Sequence, residues 1–544
     1  MLTQIKGGHI VDPAQSRDEI GDVWFEGGHF VAPPPNAQPD DIVDAAGLIV
    51  MAGAIDIHSH IAGGNTNTAR LMMPPSHRAY VQRPAATPLA NMGWSSGEVG
   101  RLYAQMGFTT VVEPAVAPHH ALHAHLELAD TPMIDKAILA ILGNDDFVLS
   151  LLRAKASPAE LRDHVAWTLQ TTMALGIKVI NAGGVAAFKE NIRSFSLDDI
   201  VPSYGVSSRQ IVQSLQRAVH ELGVPHPLHV HCNNLGLPGG VATVLATIEA
   251  AQGLPLHLAH VQFYAYGQEG AQNFSSAAPH IAQAVNANAN ITVDVGQVMF
   301  GQTITVSSDV PRQFASRAQA NPKKFMIFDG DANGGGVIPF NYRAKNFHNA
   351  VQFAAGLELF LLIEDPARVF FTTDHPNGAP FTAYPDLFAL LMSRDLRAQW
   401  LERLPAEALT LTTLGSLKRE YTLPEIAMMT RAAPAKLLGL SDRGRLSRGA
   451  KADVALYRPS KDLAQMFRTA ARVYKDGKLV MRDGVATQGH FGRALHLAPV
   501  VDASVRKRMN RYYDERYGMP SDFMQVSGEI LPSPQPFEAV PCNG

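Results

Sequence analysis

Cysteine is almost missing from this chain: its 544 residues hold only Cys232 and Cys542, far apart. Two thiols so placed exclude a disulfide framework and a cysteine-held iron–sulfur centre, and a reducing cytoplasm is the expected setting. An excess of one charge is missing too. Lys and Arg number 46 against 49 Asp and Glu, a formal net charge of -3, so no footprint exists for nucleic acid or an anionic membrane. No window reaches the ~18 apolar residues of a membrane span. The opening Met1-Leu2-Thr3-Gln4-Ile5-Lys6-Gly7-Gly8 has no apolar core of the signal-peptide kind. No internal repeat is visible. A soluble intracellular protein is expected, and its 46% apolar content can bury a large core in more than one domain.

What is present begins with Ile55-Asp56-Ile57-His58-Ser59-His60, after the strand-like Leu48-Ile49-Val50-Met51. Alternation puts His58 and His60 on one face, where two imidazoles at a strand end suit one transition metal. Two polar strand residues are the bland alternative. Residues 1–53 read as short strands with tight turns, and a similar texture returns only near the other end. Glu26-Gly27-Gly28 and Asp476-Gly477, each between apolar residues, are hairpin signals. The segments 1–53 and 436–500 are therefore expected to pair into one small composite β domain, because ~50 residues of strand are marginal alone.

Between them strands alternate with helical segments. Strands are expected at Thr109–Glu113, Ala137–Leu142, Ile177–Ile180, Leu228–His231, Leu256–His260, Thr292–Val295 and Val369–Thr373, joining the one that ends near His58. Eight such strands point to a (β/α)8 barrel over 54–435, with an insertion at about 296–368 too long for an ordinary loop. Phe325-Met326-Ile327-Phe328-Asp329 within it reads as an extra strand. Ser207-x-x-Gln210 is a capping box that opens a helix with Ile211, Leu215, Val219 and Leu222 on one face and Gly223 as its stop. A second helix is expected from Ser96 to Gly107. Residues 501–544, with Leu531-Pro532-Ser533-Pro534-Gln535-Pro536, read as an extended arm.

Barrel enzymes carry their chemistry at the C-terminal strand ends. That filter selects His58 and His60 after strand one, Lys178 on strand four, His229 and His231 on strand five, His257 and His260 on strand six, and Asp374 after strand eight. This order resembles the metal-dependent amidohydrolase superfamily. Longer stretches, among them Gly176-Ile177-Lys178-Val179-Ile180-Asn181, Leu228 to Gly236, Leu258 to Tyr264 and Thr372 to Gly378, resemble more closely one of its families. That family is the large amidohydrolase-like subunits of formylmethanofuran dehydrogenase and formyltransferase/hydrolase complexes, and the resemblance covers essentially the whole chain.

The resemblance implies a zinc site, commonly of two metals. Lys178 would be carboxylated and bridge them, His58 and His60 would hold one, and His231 and His260 the other. Asp374 would touch the first and move the proton. Zinc lowers the pKa of water to roughly 7, so the implied reaction is hydrolysis of N-formyl-methanofuran or methylofuran to formate and amine, or the reverse condensation. Asn234, Asn377 and Tyr384 are the substrate-contacting candidates, and the other subunits of the complex are the implied partners. Redox chemistry would lie outside this chain.

Competing readings stand beside these. His229 and His257 are read as packing or supporting residues, Cys232 as a small buried hydrophobe, and His119, His120, His123 and His125 as part of a solvated helix. Asp374 could be a cap in a turn-prone stretch. A cyclic amidase resembling dihydroorotase or hydantoinase shares the ligand pattern but leaves the Asn-Asn-Leu-Gly and His-Pro-Asn-Gly stretches unexplained. A catalytically silent scaffold would hold neither metal nor modified lysine. Stretches rich in Ala, Arg, Gln and Pro tilt the choice of complex towards the methylotroph type.

Overall fold

Two tight turns, one near each end of the chain, start the smaller of the two main sheets. Gly27 and Gly28 have φ of 57° and 84°, and Asp476 and Gly477 have φ of 49° and 72°; these left-handed pairs match the twist of the strands they join. Val454–Tyr457 then lies antiparallel to Ile49–Ala52, so one nine-stranded sheet draws on both ends of the chain. Its buried face carries Ile5, Phe25, Val50, Leu456 and Tyr474. The computed structural model describes residues 1–33, 35–72, 96–192, 195–307, 336–487, 489–527 and 536–542.

The eight barrel strands expected from the sequence are among the described residues. They run Ala54–Asp56, Phe108–Val116, Asp135–Leu142, Gly176–Ile180, Leu228–His231, Leu256–Leu258, Ile291–Asp294 and Val369–Phe370, each parallel to the next. The eighth closes on the first through a parallel bridge between Ser59 and His375, and His60 N donates to His375 O at 2.9 Å. Apolar strands buried on both faces require helices outside. The helix Ser208–Glu221 shows how one is fixed. Gln210 N donates to Ser207 Oγ, Gln210 Oε1 accepts from Ser207 N, and Ile211, Leu215 and Val219 are buried.

Between strands seven and eight lie the antiparallel pair Gly301–Ser307 and Gly336–Tyr342 and the helix Phe347–Leu362. These lie within the insertion expected at about 296–368, of which residues 308–335 are outside the described residues. The strand expected at 325–329 lies outside the described residues.

The C-terminal boundaries are corrected. Ala494–Leu497 pairs with Lys136 and Ala137 of the third barrel strand, not with the composite sheet, and Phe537–Val540 pairs with it in turn. The physical reason is an open edge. Strand four first meets strand three at Leu139, which leaves backbone groups below that point in need of partners. Nor is the tail an extended arm. Helix Ala503–Tyr517 buries Val505 and Met509 against Phe147 and Trp167 of the barrel's outer helices. No helix among the described residues is long and apolar enough to cross a membrane.

A buried ionic cluster ties the two sheets together. Lys475 Nζ lies 3.1 Å from Asp135 Oδ2 in the barrel, 3.0 Å from Asp453 Oδ2 and 3.2 Å from Asp476 Oδ1. Arg443 bridges Asp135 and Glu538, each at 2.7 Å. Burial pushes the Asp135 carboxyl up, but Lys475 and Arg443 outweigh it and hold it well below the usual carboxylate range. A depressed carboxyl stabilises the fold above its unfolded value near ~3.9 and loses that contribution as pH falls through the folded value. Lys475→Met should therefore destabilise by ~3–5 kcal/mol at neutral pH, since three carboxylates lose a shared cation. Urea melts should show the deficit shrinking as pH is lowered towards ~4, where those carboxylates protonate.

Candidate metal centre

The first strand ends on a buried carboxylate that fixes its own loop. Asp56 Oδ1 accepts from His58 N at 2.9 Å, and Oδ2 accepts from Tyr103 and Tyr384 hydroxyls at 2.8 and 2.6 Å. Burial raises the Asp56 carboxyl above its ordinary value in spite of these donors. The backbone so held turns both histidine side chains to the barrel axis.

Each of those histidines has a carboxylate behind it. His58 Nδ1 lies 3.1 Å from Asp294 Oδ2, and His60 Nδ1 lies 3.0 Å from Glu113 Oε1. Glu113 Oε2 also accepts from Ile61 N at 2.6 Å and Ala62 N at 2.9 Å, so one side chain orients the imidazole and the loop behind it. Both rings thus present Nε2 forward, at 3.0 and 3.2 Å from Asp374 Oδ1. Asn377 Nδ2 donates to the other Asp374 oxygen at 2.9 Å.

This is where a cation fits. His58 Nε2 and Asp374 Oδ1 are buried and 3.0 Å apart, yet neither makes an aligned hydrogen bond. Lone pairs that converge without a proton between them are the signature of a ligand set, and the donor types suit zinc or a similar metal. The electrostatics agree. Burial disfavours a charged His60, but Glu113 and Asp374 outweigh it and raise the ring to about 9, so these carboxylates call for positive charge at the place a cation would take. Asp374 is held well below its ordinary value, against its burial, by His260 and His58.

His231, His260 and Lys178 face the same cavity of about 290 Å³, which His60, Asp374 and Asn377 also line. The rings of His231 and His260 are 4.5 Å apart. His260 has φ of 37°, and Gly296 must be glycine beside it, because a Cβ there would fall 2.4 Å from His260 Cβ. Burial lowers Lys178 to about 8, opposed by Asp294, Asp374 and Glu113. A lysine so poised has a sizeable neutral, nucleophilic fraction near neutral pH.

The structure therefore brings His58, His60, Lys178, His231, His260 and Asp374 to one end of the barrel. Asn377 lines the cavity too, but its amide is committed to Asp374 and its carbonyl oxygen accepts from Val306 N. Two expected substrate contacts are corrected. Tyr384 is fully buried and bonded to Asp56, outside the cavity lining. Asn234 turns its amide to Ser196 and Thr243, drawn away by its left-handed backbone, φ 67°. His125 is also corrected: it is buried, with Nε2 3.0 Å from Thr172 O, because it faces the barrel from its helix. His119 and His120 sit at the cavity's rim rather than on a plain solvated helix. Glu113 and Asp294 escaped the sequence reading; Asp294 ends its strand, where the positional filter could have found it, whereas Glu113 lies inside Phe108–Val116.

Parallel barrels work through the loops above their strands, and imidazoles, a lysine and an aspartate gathered there mark an amidohydrolase. The chain belongs to the amidohydrolase family, whose model matches residues 41–481. Over 551 residues it is 49% identical to FhcA of the formyltransferase/hydrolase complex Fhc of Methylorubrum extorquens, covering 100% of both chains. It is 36% identical over 557 residues to the protein FwdA of Methanocaldococcus jannaschii, covering 95% of this chain and 97% of that one. A chain in the crystal structure of the Methylorubrum extorquens complex FhcABCD with methylofuran matches at a TM-score of 0.94, 49% identity and full coverage of both.

Glu113→Gln sets an amide NH₂ or a single carbonyl against His60 and two backbone N–H groups. The expected outcome is a loss of ~1–3 kcal/mol in urea unfolding, with metal held ~10–100-fold more weakly in chelator competition.

Proposed function

We propose that this chain is the hydrolytic component of a formyltransferase/hydrolase complex, cleaving the N-formyl group of a methylofuran-type carrier to formate and free amine. The observation that carries the reading is the full-length match, 49% identity with a TM-score of 0.94, to a chain whose complex was solved with methylofuran. That match also supports assembly with the other subunits of such a complex. The converging nitrogen and oxygen atoms of His58, His60 and Asp374 supply the chemical half of the argument.

Lys178, neutral in part, adds to carbon dioxide through Nζ, releases a proton to water and becomes an N-carboxylate. His58, His60 and Asp374 would hold one zinc ion, His231 and His260 would hold a second, and the carboxylated Lys178 would supply a further oxygen ligand to the centre. Bound there, the pair of ions would polarise the formyl carbonyl and lower the pKa of water to roughly 7. Asp374 accepts the proton of the attacking water and passes it to the leaving amine nitrogen, so that R–NH–CHO and water give R–NH₂ and formic acid, released as formate. Asn377, through its amide, keeps the Asp374 carboxylate turned towards that path. The cavity walls include Leu235 and Phe263, which offer an apolar surface to a flat heteroaromatic ring.

Formate release from an N-formyl-aminomethylfuran by the assembled complex tests this. Asp374→Asn should lower kcat ~10²–10⁴-fold, chelation should abolish turnover, and added Zn²⁺ should restore it. Lys178→Ala should be inactive and recover in part with a short carboxylic acid. Native turnover after exhaustive chelation, or a native protein without metal, overturns the reading in favour of another hydrolysis or a scaffold.

A further inference from the structure

One wall of the cavity comes from the hairpin between strands seven and eight, and that hairpin ends on a tyrosine with no part in the chemistry so far. Tyr342 closes the strand Gly336–Tyr342 opposite Gly301, is buried, and lines the same cavity as Asp374 and Asn377. The hairpin is clamped to the loop that carries Asp374. Val306 N donates to Asn377 Oδ1 at 2.7 Å, the Thr303 hydroxyl donates to Pro376 O, and the Tyr342 hydroxyl donates to Asn377 O at 3.3 Å. Next to the tyrosine, Arg343 N donates to Asn349 Oδ1 at 3.0 Å, and the Phe340 ring packs edge-on at 4.7 Å, so backbone and ring are both held. Asn377 also donates to Asp374 Oδ2 at 2.9 Å, which makes it the common neighbour of the phenol and the carboxylate. Burial and then the Asp374 charge raise the pKa of the phenol, as expected of groups so placed.

The phenol oxygen has unused capacity. A tyrosine hydroxyl both donates and accepts, yet among the described residues no N–H or O–H donates to Tyr342. Its proton is spent on Asn377 O, so its lone pairs are open to a ligand in the cavity. A secondary formamide, R–NH–CHO, needs such an acceptor. It keeps its one N–H throughout the reaction and gains a second proton from Asp374. In the planar amide the nitrogen electron pair is shared with the carbonyl. Once water has added to the carbon, the pair is localised, and it must face Asp374 to receive the proton. The N–H and the pair lie on different sides of the nitrogen, so fixing one aims the other. Neighbouring polar groups are committed elsewhere: the Asn377 side chain to Val306 and Asp374, and Glu113 to His60, Ile61 and Ala62. The Tyr342 oxygen is not.

We propose that Tyr342 is a further catalytic residue of the formyl-amide hydrolysis: its phenol oxygen accepts the substrate's amide N–H and turns the nitrogen electron pair towards Asp374. The inference rests on the functional reading above and narrows it to a substrate class. The site takes formamides of primary amines and rejects those of secondary amines, which have no N–H to give. An N-methyl group in that place faces the phenol oxygen without bonding to it and leaves the nitrogen free to turn.

The test uses the assembled complex with two substrates, N-formyl-aminomethylfuran and its N-methyl analogue. In native protein, N-methylation should lower kcat/KM by ~10-fold or more. Tyr342→Phe should lower kcat for the N–H substrate ~3–10-fold and change KM less, because the contact matters most once the nitrogen has become pyramidal. In that variant N-methylation should carry a penalty ~3–10-fold smaller than in native protein, a coupling that a purely structural role would not produce. Zinc content after dialysis and the urea midpoint should stay native. Equal N-methyl penalties in native protein and Tyr342→Phe, or native kcat in the variant, overturn the proposal. Should the variant fail to fold, native protein decides alone: indifference to N-methylation overturns the proposal, and the expected penalty supports it. A native complex that releases no formate from N-formyl-aminomethylfuran defeats the functional reading and this inference together, whereas release from both substrates at equal rates defeats the inference alone.

Discussion

The structure turns on a constraint at the barrel mouth: lone pairs must point at one another with nothing of the protein's own between them. Left to itself, each imidazole would rotate or exchange its proton to make a hydrogen bond and end the conflict. The carboxylates behind His58 and His60 prevent this, since Asp294 and Glu113 each hold an Nδ1 atom and turn Nε2 towards Asp374. Those carboxylates are in turn fixed by backbone donors, from His260 for Asp294 and from Ile61 and Ala62 for Glu113. The order therefore propagates from backbone to carboxylate to ring, and the centre is as rigid as the strands that bear it.

Much of this was legible from residue order. The period-2 alternation at Ile55 to His60 put both histidines on one side, and the eight apolar runs gave the barrel its count and the site its end. What went unread was the layer of carboxylates behind the histidines. A lone Glu at 113 or Asp at 294 has no motif around it, and its role exists only once strands two and seven stand beside strands one and six. Tyr384 misled for a related reason. A tyrosine after the eighth strand is a natural substrate contact, but the buried carboxylate that ends the first strand takes its hydroxyl. The tail was misread because composition alone suggested an unpaired arm, whereas an uncovered edge of strand three gives those residues a place.

The composite sheet and the barrel are chemically unlike, yet they act as one body. Lys475 and Arg443 hold carboxylates from the small sheet, the barrel and the C-terminal strand in one buried cluster. A cluster of this kind adds little net stability over a hydrophobic contact of equal size, but it tolerates one alignment of its partners only. Its member Asp453 also accepts, through its backbone oxygen, from Gly53 N at 2.9 Å, where the chain leaves the small sheet for the first barrel strand.

The strand Phe537–Val540 has a bearing on how such a molecule is made. A ribosome delivers the barrel's eight strands in order, but the edge left open low on strand three is filled by residues that emerge after all of them. Until then the nascent chain carries an unfinished sheet with unpaired amides, the kind of surface that invites pairing with a neighbour. Completion of the sheet is thus a late, long-range event in the order of the chain.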